Sequence, residues 1–90
     1  MEKMANIERL LNFLEDGFSE ESTGKYTMEY KNTTFIYDLL EEKLTVTDDK
    51  EIGNVSNVYT NVDTVEKLIL RLNHESLAKY GDYIVDTSLF

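Results

Sequence analysis

The stretch from Lys25 to Thr47 constrains this 90-residue chain more than any other. It reads KYTMEY, KN, TTFIYDLL, EE, KLTVT. Tyr26, Met28 and Tyr30 alternate with Thr27 and Glu29. Phe35, Tyr37 and Leu39 alternate with Thr34, Ile36 and Asp38, and Leu44 and Val46 with Lys43, Thr45 and Thr47. A period of two, rich in aromatic and β-branched residues, is the pattern of a half-buried antiparallel sheet. One face carries Tyr26, Met28, Tyr30, Phe35, Tyr37, Leu39, Leu44 and Val46. The other, with Thr27, Glu29, Thr34, Ile36, Asp38 and Thr45, is largely wet. Lys31-Asn32 suits a two-residue hairpin turn, where Asn tolerates a positive φ. Around Glu41-Glu42 the alternatives are a tight turn or one helical turn, because Leu, Glu and Lys favour helix.

The apolar face needs a cover, and the flanking segments supply it. Met4, Ile7, Leu11 and Leu14 form a stripe, with Leu10 beside them, and predict a helix over Glu2–Glu15. Gly17 is placed to end it in a left-handed cap, with Phe18 folding back on the last turn. Glu15 and Asp16 then sit at the carbonyl end of the helix, where negative charge is unfavourable. Ser19–Gly24 reads as a polar connection, Asp48–Asn54 as a charged loop, and Asn54–Tyr59 as a fourth short strand or irregular backbone. A second helix starts at Asp63, where Asp63 and Glu66 resemble a capping box. Val65, Leu68, Ile69 and Leu72 recur at helical spacing. That helix is expected to finish near Asn73-His74, with one further turn over Ser76–Tyr80 stopped by Gly81. Tyr83, Ile84 and Val85 predict an edge strand or an extended tail against the core. The expected class is α+β: one domain over residues 1–90, with a three- or four-stranded antiparallel sheet and an N-terminal and a C-terminal helix packed on one face.

Little in the chain supports catalysis. There is no Cys, so no disulfide, thiolate metal site or cysteine nucleophile exists. The single histidine, His74, is expected at a solvent-exposed helix end. The serines have no nucleophile-elbow context, and the four glycines lie too far apart for a phosphate-cradling loop. Asp48–Gly53 has the acid start and the glycine of a calcium loop, but Lys50 and Ile52 stand where oxygen donors are required. Paired carboxylates recur, yet a thin 90-residue domain rarely encloses a hydrolytic cleft. The expectation is a protein that is not an enzyme and has no metal or cofactor. Apolar runs fall far short of the roughly 20 residues that span a bilayer, and Glu2, Glu8, Arg9 and Asn12 interrupt any signal-peptide core. The expected compartment is the cytoplasm. Six tyrosines are present; Tyr26, Tyr30 and Tyr37 fit the core face, and Tyr59, Tyr80 and Tyr83 are available as interface anchors.

Charge carries the functional argument. Eighteen acids against nine bases give a formal charge of −9. Such a chain repels nucleic acid and anionic membrane and attracts a basic partner. Eleven of the acids fall between Glu15 and Glu51, against four lysines. Connections at one end of a small sheet come close in space. Glu15, Asp16, Glu20, Glu21, Asp38, Glu41, Glu42, Asp48, Asp49 and Glu51 are therefore the candidate partner-binding face. Carboxylates spaced along a surface can imitate the phosphate row of DNA.

The layout over roughly residues 5–75 is an amphipathic helix with Asn6-Ile7 and Leu10-Leu11, short strands with acidic connections, and a capped helix with Val65-Glu66-Lys67-Leu68-Ile69. In this it resembles the small acidic inhibitors of phages and other mobile elements, notably the anti-CRISPR proteins that act as DNA mimics. The resemblance implies a nuclease as partner, inhibited by occupation of its nucleic-acid channel. Two other classes fit size and charge: an immunity protein or antitoxin that neutralises a toxin, and a homodimeric regulatory or assembly module.

Overall fold

The computed structural model describes residues 2–48 and 55–85. The order is α1 (Glu2–Gly17), β1 (Ser19–Ser22), β2 (Lys25–Tyr30), β3 (Thr33–Asp38), β4 (Lys43–Asp48), β5 (Val55–Tyr59) and α2 (Val65–Tyr80). All five strands form one sheet in chain order, each antiparallel to its neighbours. The class is α+β, with five strands rather than three or four.

The alternation read from the sequence sets the register. Tyr26 lies opposite Tyr37, and Met28 opposite Phe35. Phe35 lies opposite Val46, and Tyr37 opposite Leu44. Paired residues share a face, so these side chains line one side of the sheet. Tyr37, Leu44 and Val46 are fully buried, and Phe35 nearly so. The same buried cluster takes Leu10 and Leu14 from α1 and Val65, Leu68, Ile69 and Leu72 from α2. Thr33 occupies the face position at the far end of β3. Leu39 falls beyond the strand, where it is partly buried against the core.

β1 is the strand that the composition concealed. Ser19–Ser22 is exposed throughout, so no apolar alternation marks it. It pairs through its backbone with β2, which places Glu20 opposite Tyr26 and sets a bulge between Glu20 and Ser22. Charged, bulged edge strands resist pairing with other chains.

Helix boundaries differ from expectation for local reasons. α1 runs two residues past Glu15, and Phe18 N–H still donates to Leu14 O at 2.8 Å. Gly17 is its last residue and is not left-handed. Phe18 does fold back: it is buried, with its ring 6.2 Å from that of Phe13. In α2 the cap is Thr64 rather than Asp63; the Thr64 hydroxyl accepts from Lys67 N–H at 3.2 Å. Asp63 instead takes the Lys67 ammonium at 2.7 Å. α2 continues unbroken through His74 to Tyr80, so His74 is exposed but mid-helix, and Gly81 (φ 72) closes the helix in the left-handed region. At the β2–β3 turn the positive φ falls on Lys31 (55), not on Asn32. Residues 39–42 form turns rather than a helix, with Glu42 at φ 55.

Tyr83–Val85 is not a strand. Ile84 and Val85 pack on the core, held by the buried Asn73 side chain. Its carbonyl accepts from Ile84 and Val85 N–H at 2.9 Å each, and its amide donates to Val85 O at 2.9 Å. One side chain thus satisfies three backbone groups, as a neighbouring strand would.

Candidate acidic interaction site

Two turns and one connection meet at one end of the sheet. Leu39 N–H donates to Gly24 O at 2.8 Å, which joins the β1–β2 turn to the β3–β4 turn. Val62 N–H donates to Glu42 O at 2.7 Å, which brings in the segment leading to α2. The Tyr37 hydroxyl completes the junction, donating to Val62 O at 2.5 Å from inside the core.

Carboxylates gather around this junction. Burial, then Glu20, then Glu15 push the Tyr26 phenol above its ordinary range. Burial first, then Glu42, Asp63 and Asp38, hold the Tyr37 phenol far above it. Negative charge disfavours tyrosinate, so each buried phenol registers the acids near it. Tyr26 and Tyr37 are direct cross-strand partners. Five acids from α1, β1, β3, the β3–β4 turn and the β5–α2 connection therefore act electrostatically on one tyrosine pair.

Several of these carboxylates also hold local structure. Glu20 accepts from Gly24 N–H at 3.3 Å, where Gly24 itself is left-handed (φ 80). Asp38 accepts from the N–H groups of Leu40 (3.0 Å) and Glu41 (3.1 Å), so it caps the turn that carries Glu41 and Glu42. Lys67 keeps the Asp63 carboxyl below the usual range, chiefly through its hydrogen bond. Glu41 pairs with Lys43 at 3.3 Å. Among the described residues, Glu15, Glu20, Glu21 and Glu42 have no lysine or arginine partner.

The ten sequence-selected acids divide accordingly. Glu15, Glu20, Asp38 and Glu42 act on the tyrosine pair, and Glu41 sits in the same turn as Glu42. Asp16 is exposed beside Glu15 at the end of α1. Glu21 accepts from the Thr27 hydroxyl at 3.3 Å, and Thr27 alternates with Tyr26, so Glu21 turns toward the opposite face of the sheet. Asp48 is a correction: it pairs with Thr33 beside the Lys31-Asn32 turn, at the other end. Antiparallel strands alternate their connections between the two ends, and this separates Asp48 from Glu41-Glu42. Asp49 and Glu51 lie outside the described residues, as does most of the Asp48–Gly53 stretch considered for calcium. Asp63 belongs to the acidic end although its sequence context suggested only a helix cap. The signal that could have revealed it is its place on a connection at the same end as Glu41-Glu42.

The tyrosines separate as well. Tyr59 donates to Glu75 at 2.5 Å, and Tyr80 is bonded to Thr33 and Asn32, so both are tied into the fold; Tyr83 is 62% exposed. Among the described residues no cluster of His, Cys, Asp or Glu could hold a metal ion, and no helix is long and apolar enough to cross a membrane. Comparison with protein-family models, curated proteins and solved structures finds no match to this chain.

Proposed function

We propose that this protein is a non-catalytic acidic interaction protein that docks its acidic end into the basic nucleic-acid groove of a nucleic-acid-binding protein, and inhibits it stoichiometrically. In this reading both helices cover the Tyr26–Val46 face of the sheet and leave the turn end open to the partner. A CRISPR nuclease is the partner class that the resemblance to DNA-mimicking inhibitors implies. The supporting observation is the convergence of Glu15, Glu20, Asp38, Glu42 and Asp63 on the Tyr26–Tyr37 pair from five separate segments. Carboxylates held on turns that core hydrogen bonds pin together present a fixed charge pattern. A cationic groove gains most from such a pattern because neither side must reorganise.

The test begins with capture of a basic partner from host lysate, washed at low and at high salt. Binding through this surface weakens steeply with ionic strength, and double-stranded DNA competes for the same groove. Reversing Glu15, Glu20, Glu41 and Glu42 to Lys lowers affinity for that partner by about a hundredfold or more. Undiminished inhibition by the reversed protein removes this surface from consideration.

A further inference from the structure

Several exposed apolar side chains gather along α2, apart from Leu40 (80% exposed) in the β3–β4 turn. Leu70 (61% exposed), Leu77 (40%) and Tyr83 (62%) line one groove of about 380 Å³ along α2, together with Ile69, Asn73 and His74. Tyr83 forms one wall of that groove, on backbone that is held on both sides. On one side the Ser76 hydroxyl donates to Asp82 O at 2.6 Å, and on the other Asn73 holds Ile84 and Val85. Backbone held on both sides by buried polar groups has less freedom left to lose on binding.

Spacing and charge together indicate the occupant. Glu66, Leu70, His74 and Leu77 recur every three or four residues along one face of α2, the spacing of a seam on which a second helix can pack. The seam is nearly symmetric about His74. A two-fold axis there sets Leu70 of one copy on Leu77 of the other, in antiparallel helices. In a chain of net charge −9, α2 is the helix where bases outnumber acids: Lys67, Arg71 and Lys79 against Glu66 and the buried Glu75. The α1 sequence holds two bases, Lys3 and Arg9, against four acids, Glu2, Glu8, Glu15 and Asp16. α2 starts next to Asp63 at the acidic end and finishes at the Lys31-Asn32 turn, where the Tyr80 hydroxyl accepts from Asn32 N–H. Antiparallel pairing therefore sends the two acidic ends to opposite poles and brings together the surfaces that repel least.

We propose that this groove is the interface of a two-fold homodimer in which α2 packs antiparallel on α2 of a second copy. One helix face and one tyrosine fall short of the roughly 800 Å² per partner of a standard interface, so the dimer is weak, with a dissociation constant of about tens of micromolar. Both acidic ends remain outside the contact.

Sedimentation equilibrium from about 5 µM to about 500 µM tests this. The wild type associates reversibly, and more tightly as salt rises, because screening relieves like-charge repulsion. Binding of a basic partner has the opposite salt dependence, so the two proposals fail separately. Leu70→Asp with Leu77→Asp weakens association about a hundredfold or more, while circular dichroism shows that the variant keeps its fold. Since the chain has no cysteine, single cysteines report geometry without interference. His74→Cys forms an intermolecular disulfide across the axis, whereas Glu66→Cys does not. A wild type that stays monomeric over the whole range overturns the proposal. So does a double aspartate variant that still dimerises, or a Glu66→Cys protein that crosslinks as readily as His74→Cys.

Discussion

The two ends of the sheet treat charge in opposite ways. At the Lys31-Asn32 end, charge is matched by partners. Lys31 pairs with Asp82, and its ammonium lies 5.5 Å from the centre of the Tyr30 ring and 5.0 Å from that of Tyr80. The Tyr80 hydroxyl meets the Thr33 hydroxyl at 2.8 Å and Asn32 N–H at 3.1 Å. At the other end, Glu15, Glu20 and Glu42 face buried phenols rather than cations. Both ends spend backbone strain on a charged residue, Lys31 at φ 55 and Glu42 at φ 55. Lys31 recovers that strain through contacts inside the fold. Glu42 makes no such contact through its side chain among the described residues. Its backbone is held inside the fold all the same, because the Glu42 carbonyl accepts from Val62 N–H at 2.7 Å.

The comparison can be broken most directly at Tyr80. Tyr80→Ala removes a ring from Tyr30 and Lys31 and a hydroxyl from Thr33, and is expected to cost about 2–3 kcal/mol in urea unfolding. Tyr80→Phe keeps the ring but leaves the fully buried Thr33 hydroxyl without that partner, for a loss of about 1–2 kcal/mol. If either change proves neutral, this end is not the structural seam described above.

A smaller effect of opposite sign is expected at the acidic end. Glu42→Gly relieves the left-handed backbone and thins the negative field around Tyr37, so it is expected to raise stability by up to about 1 kcal/mol. The same change lowers affinity for a basic partner. A gain in stability coupled to a loss of binding is the signature of a residue retained for function. A loss of stability would show that Glu42 serves the fold, as Lys31 does.

The finest test is alkaline titration. Burial, followed by the hydrogen bond and charge of Glu75 and opposed by Arg71, pushes Tyr59 up to about 12. In the unfolded chain a tyrosine titrates near 10. The folded value is raised, so its contribution is fully present below about pH 10 and is lost as pH climbs toward about 12. Tyr59→Phe should flatten that part of the alkaline unfolding curve, followed by circular dichroism. At the acidic end, Glu15→Gln with Glu20→Gln should move Tyr26 back toward the ordinary phenol range, read from tyrosinate absorbance. An unmoved Tyr26 would mean that those carboxylates do not surround it.

Much of this arrangement was legible in the residues. The Lys25–Thr47 alternation determined which side chains face the core, because a strand that buries one face leaves no choice of register. Helical spacing located α1 and the start of α2, and the acid pairs marked which connections carry charge. β1 was not legible, since an exposed edge strand buries nothing and leaves no apolar pattern. The extension of α2 past Asn73 was equally hidden. Asn73, Glu75 and Ser76 are all buried, and in sequence they read as a polar helix end.

What the sequence determined alone was local: period, turn positions, and the number and sign of charges. Tertiary structure decided which charges meet. Antiparallel pairing alternates connections between two ends, so it parted Asp48 from Glu41-Glu42 and brought Asp63 to them across a gap of twenty residues. Coulomb interactions depend on distance through space, and chain order does not supply that distance until the strands are paired.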